Sequence, residues 1–293
     1  MSIKEAIERY LFSRSKKLSD RTIRTYKRNL QKFAGWVGEL TPISHITDDH
    51  IDHFQVSLKN FLTEKTQANY AHTLRAFFKH WVGRREVDVA WELIEGPRIP
   101  EKIPNHITKE QFDLIDDCLD EDEYYQLTKK LIFQLLWNTG VRIGELLALN
   151  ISDMDTRKNY VFIRTEKSQK MRMVMWNDYC HQLLIKYLGV RVCLNKAPEL
   201  FQTPANPRFI SRRTRLSARS VNRWCHQLGD FLGFKINAHA FRHGKFHEAL
   251  NQGASRHQIQ HMAGHSSITS SEVYTRLNHK EQHRLLTQFL PEN

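Results

Sequence analysis

No two cysteines in this chain stand close enough in sequence to act together. Cys118, Cys180, Cys193 and Cys225 are scattered and form no Cys-x-x-Cys pair, which excludes an encoded disulfide framework or cysteine zinc site and marks them as reduced, structural thiols. Long apolar runs are also missing. Nothing approaches the roughly 18 residues of a spanning helix, and the opening Ser2-Ile3-Lys4-Glu5 leads into a charged amphipathic stretch rather than a signal-peptide core. The expected location is the cytoplasm, with no membrane contact. Internal repeats, low-complexity tracts and heptads are absent too, so solenoid and coiled-coil architectures are set aside.

Acidic residues are scarce. Against 32 Asp+Glu stand 44 Lys+Arg, a formal charge of +12, and such a balance suits a protein that meets a polyanion. Placement sharpens this reading. Arg208, Arg212, Arg213, Arg215, Arg219 and Arg223 fall in one stretch free of acid, as expected of a surface that follows phosphates, although an exposed basic loop would look the same.

The 293 residues suit two domains. The first, residues 1–95, reads as helices with short breaks. Ser2-x-x-Glu5 is a capping box, and Ser19-Asp20 leads into the stripe Ile23, Tyr26, Leu30, Phe33 and Val37, with Arg24, Lys27 and Arg28 outside it. Tyr70, Leu74, Phe77 and Trp81 draw another stripe, flanked by Arg75 and Lys79. The stripes are core; their basic flanks are either a solvated face or a DNA-facing one. Residues 96–107 carry prolines that bias the chain to extended form, and serve as the expected linker. Thr108-x-x-Gln111 caps the start of the second domain, residues 108–293. Tyr160 to Thr165 and Met171 to Trp176 read as a β-hairpin whose tip carries Lys167 and Lys170. The expected fold class is mainly α, with one small β-sheet or hairpin in the C-terminal domain.

Five features of the second half bear chemistry. Asn138-Thr139-Gly140-Val141-Arg142-Ile143-Gly144-Glu145 stops a helix at Gly140 and then sets Arg142 three residues before Glu145; alone, that is an ordinary ion pair. Lys167 at a turn is commonplace. His239-Ala240-Phe241-Arg242-His243 spaces two histidines as zinc proteases do, but Ala240 stands where those need glutamate; a structural zinc on His239, His243 and His247 stays formally open. Gly264-His265-Ser266-Ser267 and Tyr274 complete the set.

Taken in order, Arg142, Lys167, His239, Arg242, His265 and Tyr274 resemble the signature of the tyrosine recombinases, the phage integrase family, and the resemblance extends from Thr108 to the C-terminus. Residues 1–95 look like the family's helical DNA-clamping domain. The chain departs from the usual pattern at Ala263 and Phe241, where leucine is frequent, and at Gly244-Lys245, where a small hydroxyl residue is frequent.

The resemblance implies that Tyr274 attacks a DNA phosphate to leave a 3′-phosphotyrosyl bond, strands being exchanged through a Holliday junction. It further implies that Arg142, Arg242 and His265 hold the nonbridging oxygens, that Lys167 protonates the leaving 5′-oxygen, and that His239 assists proton transfer from the tyrosine. Glu145 orients Arg142. No cofactor or metal is implied, because the covalent link conserves the bond energy. The partners implied are a double-stranded DNA site and further copies of the chain, in a tetramer on DNA assembled through the tail from Thr275 to Leu290. Arg24, Lys27, Arg28, Arg75, Lys79, Lys170, Arg172, Arg212, Arg213, Arg215 and Arg219 are the expected DNA contacts. A type IB topoisomerase, which relaxes DNA by similar chemistry, and a DNA-binding relative without chemistry are the alternatives; none of the reactive residues is missing here.

Overall fold

The computed structural model describes residues 1–100, 104–164, 171–194, 197–203 and 215–263. The chain divides into two compact units, Met1–Lys102 and Ile103–Asn293. Among the described residues no helix is long and apolar enough to cross a membrane.

The first unit is built from α1 (Ile3–Arg14), α2 (Asp20–Val37), α3 (Asp48–Leu58) and α4 (Glu64–Val82). Ser2 and Glu5 form the capping box expected from their spacing, each satisfying a backbone N–H that the first helical turn leaves unpaired. On α2 only Leu30 and Phe33 of the expected stripe are fully buried; Ile23, Tyr26 and Val37, nearer the helix ends, are partly covered. All four stripe residues of α4 are buried. The core between these helices is aromatic: Phe33 meets Phe54 and Phe78 edge-on at 5.1 and 5.8 Å, and Tyr10 meets Phe77 at 5.4 Å. The buried Asn29 amide donates to the Thr73 hydroxyl at 3.1 Å and so fixes α2 against α4.

The second unit contains α5 (Lys109–Asp117), α6 (Tyr124–Thr139), α7 (Ile143–Leu147), the strands β1 (Tyr160–Arg164) and β2 (Met171–Met175), α8 (Asp178–Leu194), α9 (Ala218–Leu232), α10 (Ala238–Asn251) and α11 (Arg256–Ala263). Helix α6 is buried on nearly every side, which explains why its sequence, Leu131-Ile132-Phe133-Gln134-Leu135-Leu136-Trp137, shows no polar face. It packs against α8 and α10, with Trp137 stacked on Phe112 at 4.6 Å and Phe133 on Phe241 at 5.1 Å. Phe241, one of the departures from the family pattern, is thus an interior aromatic partner of α6. Strands β1 and β2 pair antiparallel, Ile163 opposite Arg172 and Val161 opposite Val174.

The linker expected over residues 96–107 is anchored at its far end. Asn105 donates to the Lys235 carbonyl at 2.8 Å, the Ile107 N–H donates to the Ala240 carbonyl at 3.2 Å, and the Ile107 side chain is buried in the second core. Gly244 explains why this segment can lie against α10. A Cβ there would fall on the Ile107 carbonyl group and 2.7 Å from the Trp137 ring, so the departure from a hydroxyl residue at this position is sterically required. Gly244→Ala is expected to destabilise the protein by about 1–3 kcal/mol through overpacking. Gly189→Ala, at a helical position with nothing within 4 Å, should be neutral or mildly stabilising when the two variants are compared with wild type by denaturant titration.

Candidate active site

Gly140 ends α6 in the left-handed conformation, at φ +60°, and its N–H closes the helix on the Leu136 carbonyl. The chain then turns through Val141 and Arg142 into α7, with Arg142 at the N-cap and Glu145 in the first turn. The Glu145 carboxylate is fully buried. Its Oε1 accepts from Arg142 Nη1 at 3.1 Å, and its Oε2 accepts from the Arg142 backbone N–H at 3.1 Å and from Arg172 Nη2 at 2.6 Å. Burial alone would raise the Glu145 pKa; the hydrogen bond and charge of Arg172, joined by those of Arg142, outweigh it and hold the carboxyl below its ordinary value. Glu145 is therefore an anion clasped by two guanidiniums. The Arg142 side chain keeps about a quarter of its surface exposed, at 27%, whereas Arg172 keeps 6%.

Arg242 comes to the same place from α10. It is 1% exposed, lies over the Phe246 ring at 4.8 Å, donates from Nη1 to the Gly140 carbonyl and from Nη2 to the Ala263 carbonyl at 2.8 Å. The Gly140 carbonyl thus joins the arginine of α10 to the turn that carries Arg142. A side chain at Gly140 would strike the Phe246 ring at 2.9 Å, so the position needs glycine for its space as well as its φ.

His239 opens α10 beneath a cap in which the Asn237 side chain accepts from the N–H groups of His239 and Ala240, both at 3.0 Å. Its ring keeps an exposed edge, yet the packing around it, followed by the positive charges of Arg242 and Arg142, lowers its pKa. The same surroundings favour the neutral form of the imidazole over the charged one. Its ring meets His243 edge-on at 5.1 Å, while His247 stacks on His106 at 4.7 Å. Among the described residues no group of three or more His, Cys, Asp or Glu side chains is arranged to hold a metal.

Of the expected chemical residues, then, Arg142, His239, Arg242 and Glu145 converge on one site. Lys167, His265 and Tyr274 lie outside the described residues, as do the expected DNA contacts Lys170, Arg212 and Arg213. Arg24, Lys27, Arg28, Lys79 and Arg219 are exposed and Arg75 partly so, with Arg75 and Lys79 over the Trp91 ring at 5.9 and 4.4 Å. Two expected DNA contacts are engaged by the chain's own groups: Arg172 is buried and Arg215 is partly exposed. Arg172 is spent on Glu145 for the reason just given. Arg215 donates to the Leu147 and Leu149 carbonyls at 2.8 and 3.0 Å and to the Asn150 side chain at 2.7 Å, which satisfies carbonyls that the end of α7 leaves unpaired. Strand alternation places Arg172 on the same face of β2 as Val174, opposite the three methionines.

The Phage integrase family pattern matches residues 105–281, and the pattern of the phage integrase N-terminal SAM-like domain matches residues 4–87. The chain belongs to the phage integrase family. It is 26% identical to the tyrosine recombinase XerC of Thermodesulfovibrio yellowstonii over 89% of this chain and 87% of that one. It is 29% identical to the tyrosine recombinase XerD of Staphylococcus epidermidis over 97% of this chain and 98% of that one. In fold it is similar to the Tn1549 transposon integrase in complex with transposon right end DNA, with a TM-score of 0.78, 18% identity and coverage of 99% of both chains.

The electrostatics can be checked directly. In an NMR titration the His239 midpoint should lie below the ordinary value of about 6.5, and Arg142→Met, which removes one of the opposing charges, should move it upward. A midpoint above the ordinary value would contradict the site as described.

Proposed function

We propose that this chain is a site-specific DNA recombinase that breaks and rejoins strands through a 3′-phosphotyrosyl intermediate. The observation that carries the reading is the convergence of Arg142 and Arg242 on the Gly140 turn, with His239 on the same helix as Arg242, in a chain of the phage integrase family. Two guanidiniums offer forked donors suited to the equatorial oxygens of a five-coordinate phosphorus, where charge gathers as the nucleophile adds.

Tyr274 is the nucleophile. His239 accepts its proton as the O–P bond forms, Arg142, Arg242 and His265 stabilise the phosphorane, and Lys167 delivers a proton to the departing 5′-oxygen. The reverse reaction, with a 5′-hydroxyl from another strand as nucleophile, reseals the DNA with no outside energy source. Double-stranded DNA is the substrate, held by the basic surfaces of both units, and the segment from Thr275 to Leu290 links copies of the chain into a tetramer on that DNA.

Trapping on a library of nicked duplexes tests the chemistry. The wild-type protein should become covalently attached to DNA, and Tyr274→Phe should bind the same DNA with no adduct; a normal adduct yield from Tyr274→Phe would overturn the assignment. Truncation after Leu277 should leave binding of one protein copy in place while abolishing cooperative assembly, as read by gel shift; unchanged assembly would remove the tail's role.

A further inference from the structure

The pair formed by Arg172 and Glu145 does more than neutralise a buried charge. A carboxylate alone beside an arginine tends to take it bidentately, both oxygens against two parallel N–H groups. Glu145 does not do this to Arg142. Its Oε2 is occupied by Arg172 Nη2 at 2.6 Å and by the Arg142 backbone N–H, and Arg172 Nη1 also approaches Oε1, at 3.4 Å. The Arg142 guanidinium is left with a single hydrogen bond to Glu145, from Nη1. Of the five N–H donors on a guanidinium, Glu145 therefore engages one and leaves the others to a phosphate. Arg172 Nε has no hydrogen-bond partner among the described residues, so the polar contacts of this buried side chain are those to Glu145.

We infer that Arg172 is a positioning residue for DNA cleavage: by saturating Glu145 it keeps the Arg142 guanidinium turned toward the scissile phosphate instead of folded back onto the carboxylate. The inference rests on the proposed recombinase reaction. It assigns Arg172 no contact with DNA, in keeping with its 7% exposure. Without Arg172, the buried carboxylate has Arg142 as its one remaining cationic partner among the described residues and captures it in the forked geometry. The loss falls on the chemical step, because the donors withdrawn are those that meet charge developing on the nonbridging oxygens.

A substrate change separates this role from a structural one. In a methylphosphonate linkage one nonbridging oxygen is replaced by a methyl group, the linkage is neutral, and the charge that Arg142 stabilises is largely gone. Arg172→Met, Arg142→Met and wild type are compared on the nicked duplex recovered by trapping, with either phosphate or methylphosphonate at the scissile position, while DNA affinity is followed by fluorescence anisotropy. On phosphate DNA, Arg172→Met should cleave about 10–100-fold more slowly than wild type, the loss typical of removing a group that orients a reacting one. On methylphosphonate DNA the loss shown by Arg172→Met should largely disappear and that shown by Arg142→Met should shrink with it, while the affinity of Arg172→Met is unchanged on both DNAs. Arg172→Lys, which keeps the charge on β2 but lacks the fork, should show the same substrate-dependent loss at smaller size and covers the case in which the methionine variant does not fold. Equal losses on the two DNAs, or no loss on either, would overturn the role of Arg172 while leaving the recombinase reading intact. A wild type that forms no adduct on any duplex would remove both.

Discussion

The carboxylate of Glu145 is the constraint around which the second unit is arranged. It is an anion with no exposed surface, and such a group persists only where cations and N–H donors replace the water it has lost. Three elements meet at this cluster. The turn after α6 gives the Arg142 backbone, α7 carries the carboxylate itself, and β2 brings Arg172. Removing one partner of such a cluster typically costs about 3–5 kcal/mol, because the charge left behind stays buried. The cluster thereby determines where the two-stranded sheet lies relative to α7, and it determines the direction in which Arg142 faces.

A second constraint meets the first at Gly140. One residue ends α6, gives its carbonyl to Arg242 and leaves space for the Phe246 ring. Helices α6 and α10 are brought together by apolar contacts between them, Phe133 on Phe241 among others, and the hydrogen bond from Arg242 to Gly140 converts that packing into a defined distance between two arginines remote in sequence. The apolar core and the polar site are in this sense one structure. The packing that buries Arg242 also orients it, and a guanidinium held by carbonyls before substrate arrives needs little rearrangement when a phosphate does.

Much of this was legible in the residues. The capping boxes at Ser2 and Thr108, the stripe of α4, the strands β1 and β2 and the pairing of Arg142 with Glu145 all follow from short-range spacing, and all are present. What spacing did not reveal depends on which face of an element meets the core. In β2 the apolar residues Met171, Met173 and Met175 face outward and are about half exposed, while Arg172 and Val174 face inward. Hydropathy alone would choose the opposite face; pairing with Val161 and Ile163 of β1 sets the actual one. The internal hydrogen bonds of Arg215 leave no sequence signal for a related reason. A run of arginines without acids looks like a phosphate-binding surface, and nothing local distinguishes the one whose partners are carbonyls some 66 positions away. Long-range hydrogen bonds of this kind leave no periodic trace.

In the proposed reaction Tyr274 is joined to DNA. The most direct test is to digest the trapped protein–DNA complex with nuclease and protease and to identify, by mass spectrometry, the peptide that carries the residual nucleotide. The account requires the modification on Tyr274, linked through a 3′-phosphate. A nucleotide on any other residue, or linkage through a 5′-phosphate, would contradict it.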